Sequence, residues 1–396
     1  MRKSTLIALI STVVAIIFHT LLTLHYYPLR FGLTSEKSSC SVNALFDCDA
    51  VSTSAFSSFI GVPLSLWGLV TNAILLVFIF GLIVQVVEDQ EKHRRTTAYL
   101  AAFIGLMSIV MGIISATQLS TYCLFCLGTY LTSFITWAAL HMENNKNYWN
   151  YFPSDLASYL GASRGYLIFV GLLPVVSYIS HRSIVQHFSA DKIDEIVLDS
   201  VNQWKSSPTH EFNGPITLTK GAKDSFMTIT EFADFQCGHC RHASLPLGSF
   251  ARSHTDIKFN FVVFPLDGDC NEAVKQGRGT SCRLAKAAYC AGKENPKLGW
   301  VFHDSIYADQ DKFPITGTIE KIDKELKEII KDTSVNWDNL TQCMNSEETQ
   351  EKILAMAKMG ENAEVKGTPT IFVNGRYLPR GQLIPVLQSV YSDLKK

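Results

Sequence analysis

The pattern of apolar and polar positions divides the chain near residue 181. Before that point, uncharged apolar runs occupy 4–27, 62–87, 96–119, 122–140 and 166–180. Beyond it, shorter apolar stretches alternate with charged positions, as in a water-soluble domain. Most of the runs are long enough to cross about 30 Å of hydrocarbon at about 1.5 Å per helical residue. The fifth is short and contains Pro174, so neighbouring helices would have to satisfy the backbone group that the proline frees. Arg2 and Lys3 ahead of the first run allow a signal peptide as a competing reading. The run is too long for an h-region and no small-x-small cleavage site follows, so it reads as an anchor. The pattern predicts a multi-domain protein: an all-α transmembrane bundle over 1–181, a linker over 182–222 that is helical from about 184 to 205, and an α/β domain over 223–396.

Charge sets the orientation. With five alternating spans, Arg2, Lys3, Lys92, Arg94, Arg95, Lys146 and Arg164 share one side, and the other has only Arg30 and Lys37. The basic side is expected in the cytoplasm. An odd number of spans then places everything after residue 180 outside, with the loop 28–61 and the turn near 121. This is the layout of a multi-pass protein of a bacterial inner (cytoplasmic) membrane whose soluble domain is periplasmic. The partners implied are the lipid bilayer and exported proteins. The net charge of -1 lacks the basic excess of a nucleic-acid binder.

All ten cysteines fall on the expected outer side or at its membrane edge, where disulfides are permitted. Two C-x-x-C motifs stand out, and paired motifs of that kind can build a four-thiolate zinc cage. One of them heads a membrane span while the other sits far along the chain in the soluble domain, so no metal is expected. In Cys123-Leu-Phe-Cys126 the two thiols are neighbours on a helix whose N-terminus stabilises a thiolate. Cys40 and Cys48 lie in the polar loop 38–54, either as a structural staple or as a second redox pair at the same membrane edge. In the soluble half, an apolar strand over 226–235 runs into Cys237-Gly-His-Cys240 and an amphipathic helix to about 254, the order of a thioredoxin redox element. His19, His25 and the methionines of the spans read as packing.

The run Cys48-Asp-Ala-Val-Ser-Thr-Ser54, then Gly61-Val-Pro-Leu-Ser-Leu-Trp-Gly68, then Cys123-Leu-Phe-Cys126-Leu-Gly-Thr-Tyr130, resembles the vitamin K epoxide reductase family over about 5–180. The resemblance implies a four-helix core plus a fifth helix. It makes Cys40 and Cys48 the shuttle pair, Ser54 the loop serine, Cys123 and Cys126 the quinone-facing pair, and Tyr130 a hydrogen-bond donor to the quinone. Vertebrate members hold the other quinone oxygen with an asparagine where this chain has Leu64, which favours quinone as ligand over epoxide reduction. Independently of the resemblance, Tyr130 shares a helix face with Cys126 and needs a partner for its phenol, as a ligand residue or as an interfacial belt residue. Asn72 is a weaker candidate that helix–helix hydrogen bonding also explains.

In the soluble half, Gly367-Thr-Pro-Thr-Ile-Phe-Val-Asn-Gly375 resembles the cis-proline strand and turn of thioredoxins, with Pro369 facing the cysteines. The long helical stretch before it resembles the DsbA-like inserted subdomain, and this likeness covers about 223–394. It implies that Cys237 is the attacking thiol and Cys240 the resolving one. His239 gives the motif the Gly-His dipeptide of protein disulfide isomerase, whose potential is roughly -180 mV against roughly -270 mV for thioredoxin. The direction is toward oxidising substrates. The likeness also implies a structural bridge between Cys290 and Cys343, and Cys270 and Cys282, which flank the Gly-rich loop Gly277-Arg-Gly279, are expected to form another.

The chain therefore reads as a membrane thiol oxidase that forms disulfides in exported proteins. Electrons would pass through Cys237/Cys240, Cys40/Cys48 and Cys123/Cys126 to ubiquinone or menaquinone. One rival is a quinone or epoxide reductase that serves the cofactor. Another is a membrane-tethered disulfide isomerase or binding protein, which would have no use for four membrane-edge thiols.

Overall fold

Each apolar run is carried by a helix in the computed structural model, which describes residues 2–43, 45–119, 121–144, 147–161, 165–188, 192–331, 333 and 335–396. Lys146 and Arg164, counted above with the basic side, lie outside the described residues. The chain forms two compact units, Met1–Pro28 with Ser38–Asp191, and Leu29–Lys37 with Lys192–Lys396.

The first unit is helical. α1 (Lys3–Arg30) is followed by the cysteine-bearing loop, a short α2 (Cys48–Thr53), and a two-stranded hairpin of β1 (Ser58–Phe59) and β2 (Val62–Pro63). Then come α3 (Leu64–Val84), α4 (Gln90–Gln118), α5 (Leu124–Glu143), a short α6 (Phe152–Tyr159) and α7 (Gly165–His187). Among the described residues, α1, α3, α4, α5 and α7 are long and apolar enough to cross a membrane.

Close approach of these helices depends on small residues, as in lipid-embedded bundles. A side chain at Gly68 would collide with the His19 ring, and a Cβ at Gly128 would sit 2.7 Å from Phe18. Polar contacts fasten the helices internally: Ser11 Oγ donates to the Thr132 carbonyl at 2.9 Å, and the His93 ring lies 3.0 Å from the Phe78 carbonyl. Leucines, isoleucines and valines on the outer faces, such as Ile17, Val77, Ile113 and Ile179, remain exposed, as a lipid-facing surface requires.

α4 starts at Gln90, ahead of the apolar run that begins at 96. The Asp89 carboxylate caps it by accepting the Lys92 N–H at 2.9 Å, so the charged turn Lys92 to Arg95 is helical too. Arg95 then grips Asp155 of α6 through two hydrogen bonds of 2.8 Å. This bidentate pair ties α6 to the end of the bundle.

The second unit opens with α8 (Ile193–Ser206) and continues as β3 (Leu218–Gly221), β4 (Met227–Ala233), α9 (Gly238–Ser253) and β5 (Ile257–Val263). Five helices follow: α10 (Thr280–Glu294), α11 (Pro296–Ala308), α12 (Ile319–Ile329), α13 (Trp337–Met344) and α14 (Glu347–Asn362). β6 (Thr370–Val373), β7 (Arg376–Tyr377) and α15 (Ile384–Leu394) close the unit. The sheet order is β3-β5-β4-β6-β7. β4 and β5 are parallel, joined by the crossover helix α9, and the other pairs are antiparallel.

Both faces of the sheet are covered. Val201 and Trp204 of α8 pack with α9 and α15 on one side, and the inserted helices pack on Phe232, Phe261 and Phe264 on the other. This is a thioredoxin-like α/β fold with a DsbA-like helical insert. The stretch 182–222 contains the end of α7, all of α8 and the edge strand β3.

Candidate functional site

In the second unit, β4 ends where the chain turns over Asp234. The Asp234 carboxylate accepts the Gln236 and Leu266 N–H groups, each at 2.6 Å, and its carbonyl accepts the Cys237 N–H at 3.2 Å. This turn delivers Cys237 to the N-cap of α9, with Cys240 one turn inside it. Cys237 is half-buried and Cys240 fully buried, and both are free thiols.

The two thiols are electrostatically unequal. The Cys240 thiol, hydrogen-bonded to Cys237, lowers the Cys237 pKa to about 5 against the opposing effect of burial, helped by the Thr368 side chain and the N–H groups of Cys240 and His239. A helix N-terminus favours a thiolate in the same direction. Burial pushes Cys240 well above the usual thiol value. The Thr368–Pro369 peptide bond is cis, and the Thr368 carbonyl lies 3.3 Å from Cys237 Sγ. The His239 side chain is exposed.

Sequence reading missed Glu231 on β4. Its side chain is buried and neither carboxylate oxygen has a hydrogen-bond partner among the described residues. Burial raises its pKa to about 8, with Lys220 opposing and Cys237 adding to the rise. Lys220 lies 3.8 Å from the centroid of the Trp300 ring, and desolvation lowers its pKa to about 7. The strand pattern offers no signal for Glu231, because a carboxylate in an alternating strand reads as solvent-facing.

Two bridges sit in the inserted region of this unit. Cys290 of α10 is bonded to Cys343 of α13 with a Cα separation of 6.0 Å. Cys270 is bonded to Cys282 across 5.9 Å, bracketing a loop in which the Asp267 carboxylate accepts the Arg278 and Ser281 N–H groups at 3.0 and 3.2 Å.

In the first unit, the loop before α2 is folded by its own side chains. Asp47 caps α2, accepting the Ala50 N–H at 3.0 Å, and Ser41 bridges back with its hydroxyl donating to Asp47 at 3.1 Å and accepting the Asp49 N–H at 3.0 Å. This closes Cys40 onto Cys48 as a disulfide with a Cα separation of 5.7 Å. The loop then docks on the head of α5: the Asp47 backbone N–H donates to the Tyr122 carbonyl at 2.9 Å, and the Tyr122 N–H to the Leu45 carbonyl at 2.8 Å.

Tyr122 precedes Cys123, which caps α5 by accepting the Cys126 N–H at 3.1 Å and is bonded to Cys126. The sulfurs of Cys40, Cys48 and Cys123 all lie within 4.8 Å of one another and are buried. A sulfur of one disulfide therefore faces both sulfurs of the other, the arrangement that exchange through a mixed disulfide requires.

The remaining residues named from sequence sit at the end of α2, on α5 and on α3. Ser54 ends α2, its hydroxyl donating to the Val51 carbonyl at 2.7 Å. Tyr130 is half-buried on α5, one turn below Cys126. Leu64 begins α3, and the Asn72 amide is satisfied within its own helix by the Gly68 carbonyl at 2.9 Å.

A half-buried, acidic thiol paired with a fully buried one at the start of a helix, on a thioredoxin-like sheet, defines a thiol oxidoreductase. Known proteins agree on both halves. The family model of the vitamin K epoxide reductase family matches residues 6–140, and a thioredoxin model matches 214–382. The chain thus joins a vitamin K epoxide reductase family domain to a thioredoxin-like domain.

Among curated relatives, the probable disulfide bond formation protein D of Bacillus anthracis is 25% identical over 211 residues, 52% of this chain and 90% of that protein. Disulfide bond formation protein D of Bacillus subtilis is 24% identical over 164 residues, 40% of this chain and 68% of that one. Among solved structures, oxidised BdbD from Bacillus subtilis aligns at 21% identity and a TM-score of 0.39, covering 48% of this chain and 98% of that one. Pseudomonas aeruginosa DsbA2 aligns at 20% identity and a TM-score of 0.37, covering 47% and 100%.

Proposed function

We propose that this protein is a membrane oxidase that forms disulfides in exported proteins and delivers the electrons to a membrane quinone. The observation that carries the reading is the cluster of three sulfurs from two disulfides at the head of α5. A client dithiol reduces the Cys237/Cys240 disulfide, with the acidic Cys237 as the sulfur exchanged first and Cys240 as the resolving thiol. The reduced pair passes two electrons to Cys40/Cys48, and that pair to Cys123/Cys126, each step forming one S–S bond and breaking another. Cys126 is the exit, and Tyr130 donates to the quinone oxygen. Ubiquinone or menaquinone supplies a two-electron, two-proton acceptor that dissolves in the bilayer.

The membrane domain occupies 1–181, and a connecting stretch 182–222 leads to the redox domain 223–396. The basic loops lie in the cytoplasm, so the cysteine-bearing end of the bundle and the redox domain lie on the periplasmic side. Fusion raises the effective concentration for the handover, to the order of millimolar for a linker that spans the sites. Cys290/Cys343 and Cys270/Cys282 are structural bridges. His239 tunes the potential, Pro369 borders the reacting sulfur, and Ser54 shapes the shuttle loop. An epoxide reductase is disfavoured by Leu64, and an isomerase by the membrane-edge dithiols.

The test is a full-length variant with Cys40 and Cys48 both changed to Ser. Quinone-driven oxidation of a reduced client is expected to stop, while Cys237 and Cys240 still exchange with glutathione. Undiminished client oxidation in that variant would remove the loop from the path.

A further inference from the structure

His25, on α1, reads from sequence as a packing residue of the first span. In the structure its Nε2 lies 2.7 Å from Asp49 Oδ1, without the direction of a linear ring N–H hydrogen bond. The Asp49 side chain is fully buried and also accepts the Ser38 N–H at 3.2 Å. Burial pushes this carboxyl up, but the contacts with His25 and Ser38 outweigh it and hold Asp49 below the ordinary carboxylate value. Asp49 directly follows Cys48. A cavity of about 260 Å³ is lined by His25 together with Cys40, Cys48, Ser38 and Phe125. An imidazole backed by an ionised carboxylate is therefore turned to the same space as the loop disulfide.

A carboxylate in contact with one ring nitrogen fixes the orientation of an imidazole and leaves its other nitrogen to meet a proton. From this geometry we infer that His25, oriented by Asp49, handles the proton of the Cys40/Cys48 exchange and stabilises the thiolate released when that disulfide opens. The inference rests on reading Cys40/Cys48 as the shuttle pair. An incoming thiol gives its proton to His25 as its sulfur attacks. One S–S bond forms to a loop cysteine, the Cys40–Cys48 bond breaks, and its electron pair stays on the other loop sulfur. The second incoming thiol then breaks that mixed disulfide, its proton passing to the loop sulfur it frees. The thiolate paired with the imidazolium attacks the Cys123–Cys126 bond, one S–S bond forming to Cys123 as Cys126 leaves as a thiolate, and the imidazolium proton leaves to water. No oxidant beyond the disulfides is involved.

Titratable or charged groups toward this end of the elements that meet here are His19, Tyr26, Tyr27 and Arg30 on α1, Asp47 and Asp49 at α2, Tyr122, Cys123, Cys126 and Tyr130 at the head of α5, and His181, Arg182 and His187 on α7; α3 has none. Asp49 is the charge in contact with His25.

The experiment uses full-length protein in detergent, with Cys123, Cys126, Cys237 and Cys240 changed to Ser and the loop reduced. Iodoacetamide alkylation of Cys40 and Cys48 is followed against pH by mass spectrometry. One loop thiol is expected to show its inflection at least about one pH unit below the roughly 8.5 of a free cysteine. His25→Gln should raise it by about one unit or more, and Asp49→Asn by a smaller step. Where His25→Gln does not fold, Asp49→Asn carries the test alone. An inflection unmoved in the folded variants overturns the inference and leaves His25–Asp49 a structural pair. Failure of the relay itself would appear separately, as client oxidation that survives loss of Cys40 and Cys48, and would leave the alkylation result standing.

Discussion

The Sγ atoms of Cys48 and Cys123 lie within 4.8 Å of each other although they belong to different disulfides. Two local devices hold them there. Asp47 caps α2 just before Cys48, and the Phe46–Tyr122 bridge couples that cap to the residue before Cys123. Exchange between the pairs then needs a sulfur displacement rather than a loop rearrangement.

That arrangement makes Cys126→Ser a trap. Cys126 is the thiol that would resolve a bridge between Cys123 and the loop, so its loss should accumulate a mixed disulfide. Non-reducing mass spectrometry of the digested variant should find Cys48 joined to Cys123, with quinone reduction abolished. Cys40 joined to Cys123 would reverse the shuttle roles, and continued quinone reduction would show that electrons leave by another route.

The depressed pKa of Cys237, about 5, has a defined pH signature. A group whose folded pKa lies below its unfolded value of roughly 8.5 contributes stability that is complete above the unfolded pKa and lost as pH falls through the folded one. Reduced protein should therefore gain stability relative to Cys237→Ser between pH 5 and roughly 8.5. Alkylation of Cys237 should show its half-maximal rate near pH 5. A stability difference that does not change with pH, or an inflection near 8.5, contradicts the assignment.

Glu231 has the opposite sign. Its folded pKa is raised to about 8, so the folded protein holds a proton that the unfolded chain releases, and stability falls as pH rises from roughly 4.3 through 8. Replacing a buried, unpartnered carboxyl by an apolar residue of similar volume removes that loss. Glu231→Leu in the oxidised protein is expected to be stabilised by more than about 1 kcal/mol at pH 8, with the gain shrinking toward pH 5. Thermal denaturation at both pH values checks this, and a gain that is equal at both is the contrary result.

Much of this architecture was legible in sequence because its signals are local. Apolar runs marked the spans, two C-x-x-C motifs marked redox chemistry, and the Gly367–Gly375 segment marked the strand after a cis proline. Helix bounds were less legible: the charges of Lys92, Arg94 and Arg95 hid the first turns of α4, which the Asp89 cap and the Asp155 partner make helical. Strand β3 escaped because four residues at a sheet edge carry no period of their own. Glu231 and the His25–Asp49 pair were invisible for a different reason. Their significance depends on what is packed around them, Glu231 in a strand covered on both faces and His25 beside a residue 24 positions away. Neither fact leaves a mark on the neighbouring residues.

The central claim is that thiols and quinone are coupled through this one chain, and stoichiometry tests it most directly. Purified full-length protein is mixed with a reduced, unfolded client and a membrane quinone, and disulfides and quinol are counted together over time. One quinol for each client disulfide is expected, with both stopping together in Cys126→Ser. Client oxidation without quinol, or quinol formation that persists without client thiols, would contradict the account.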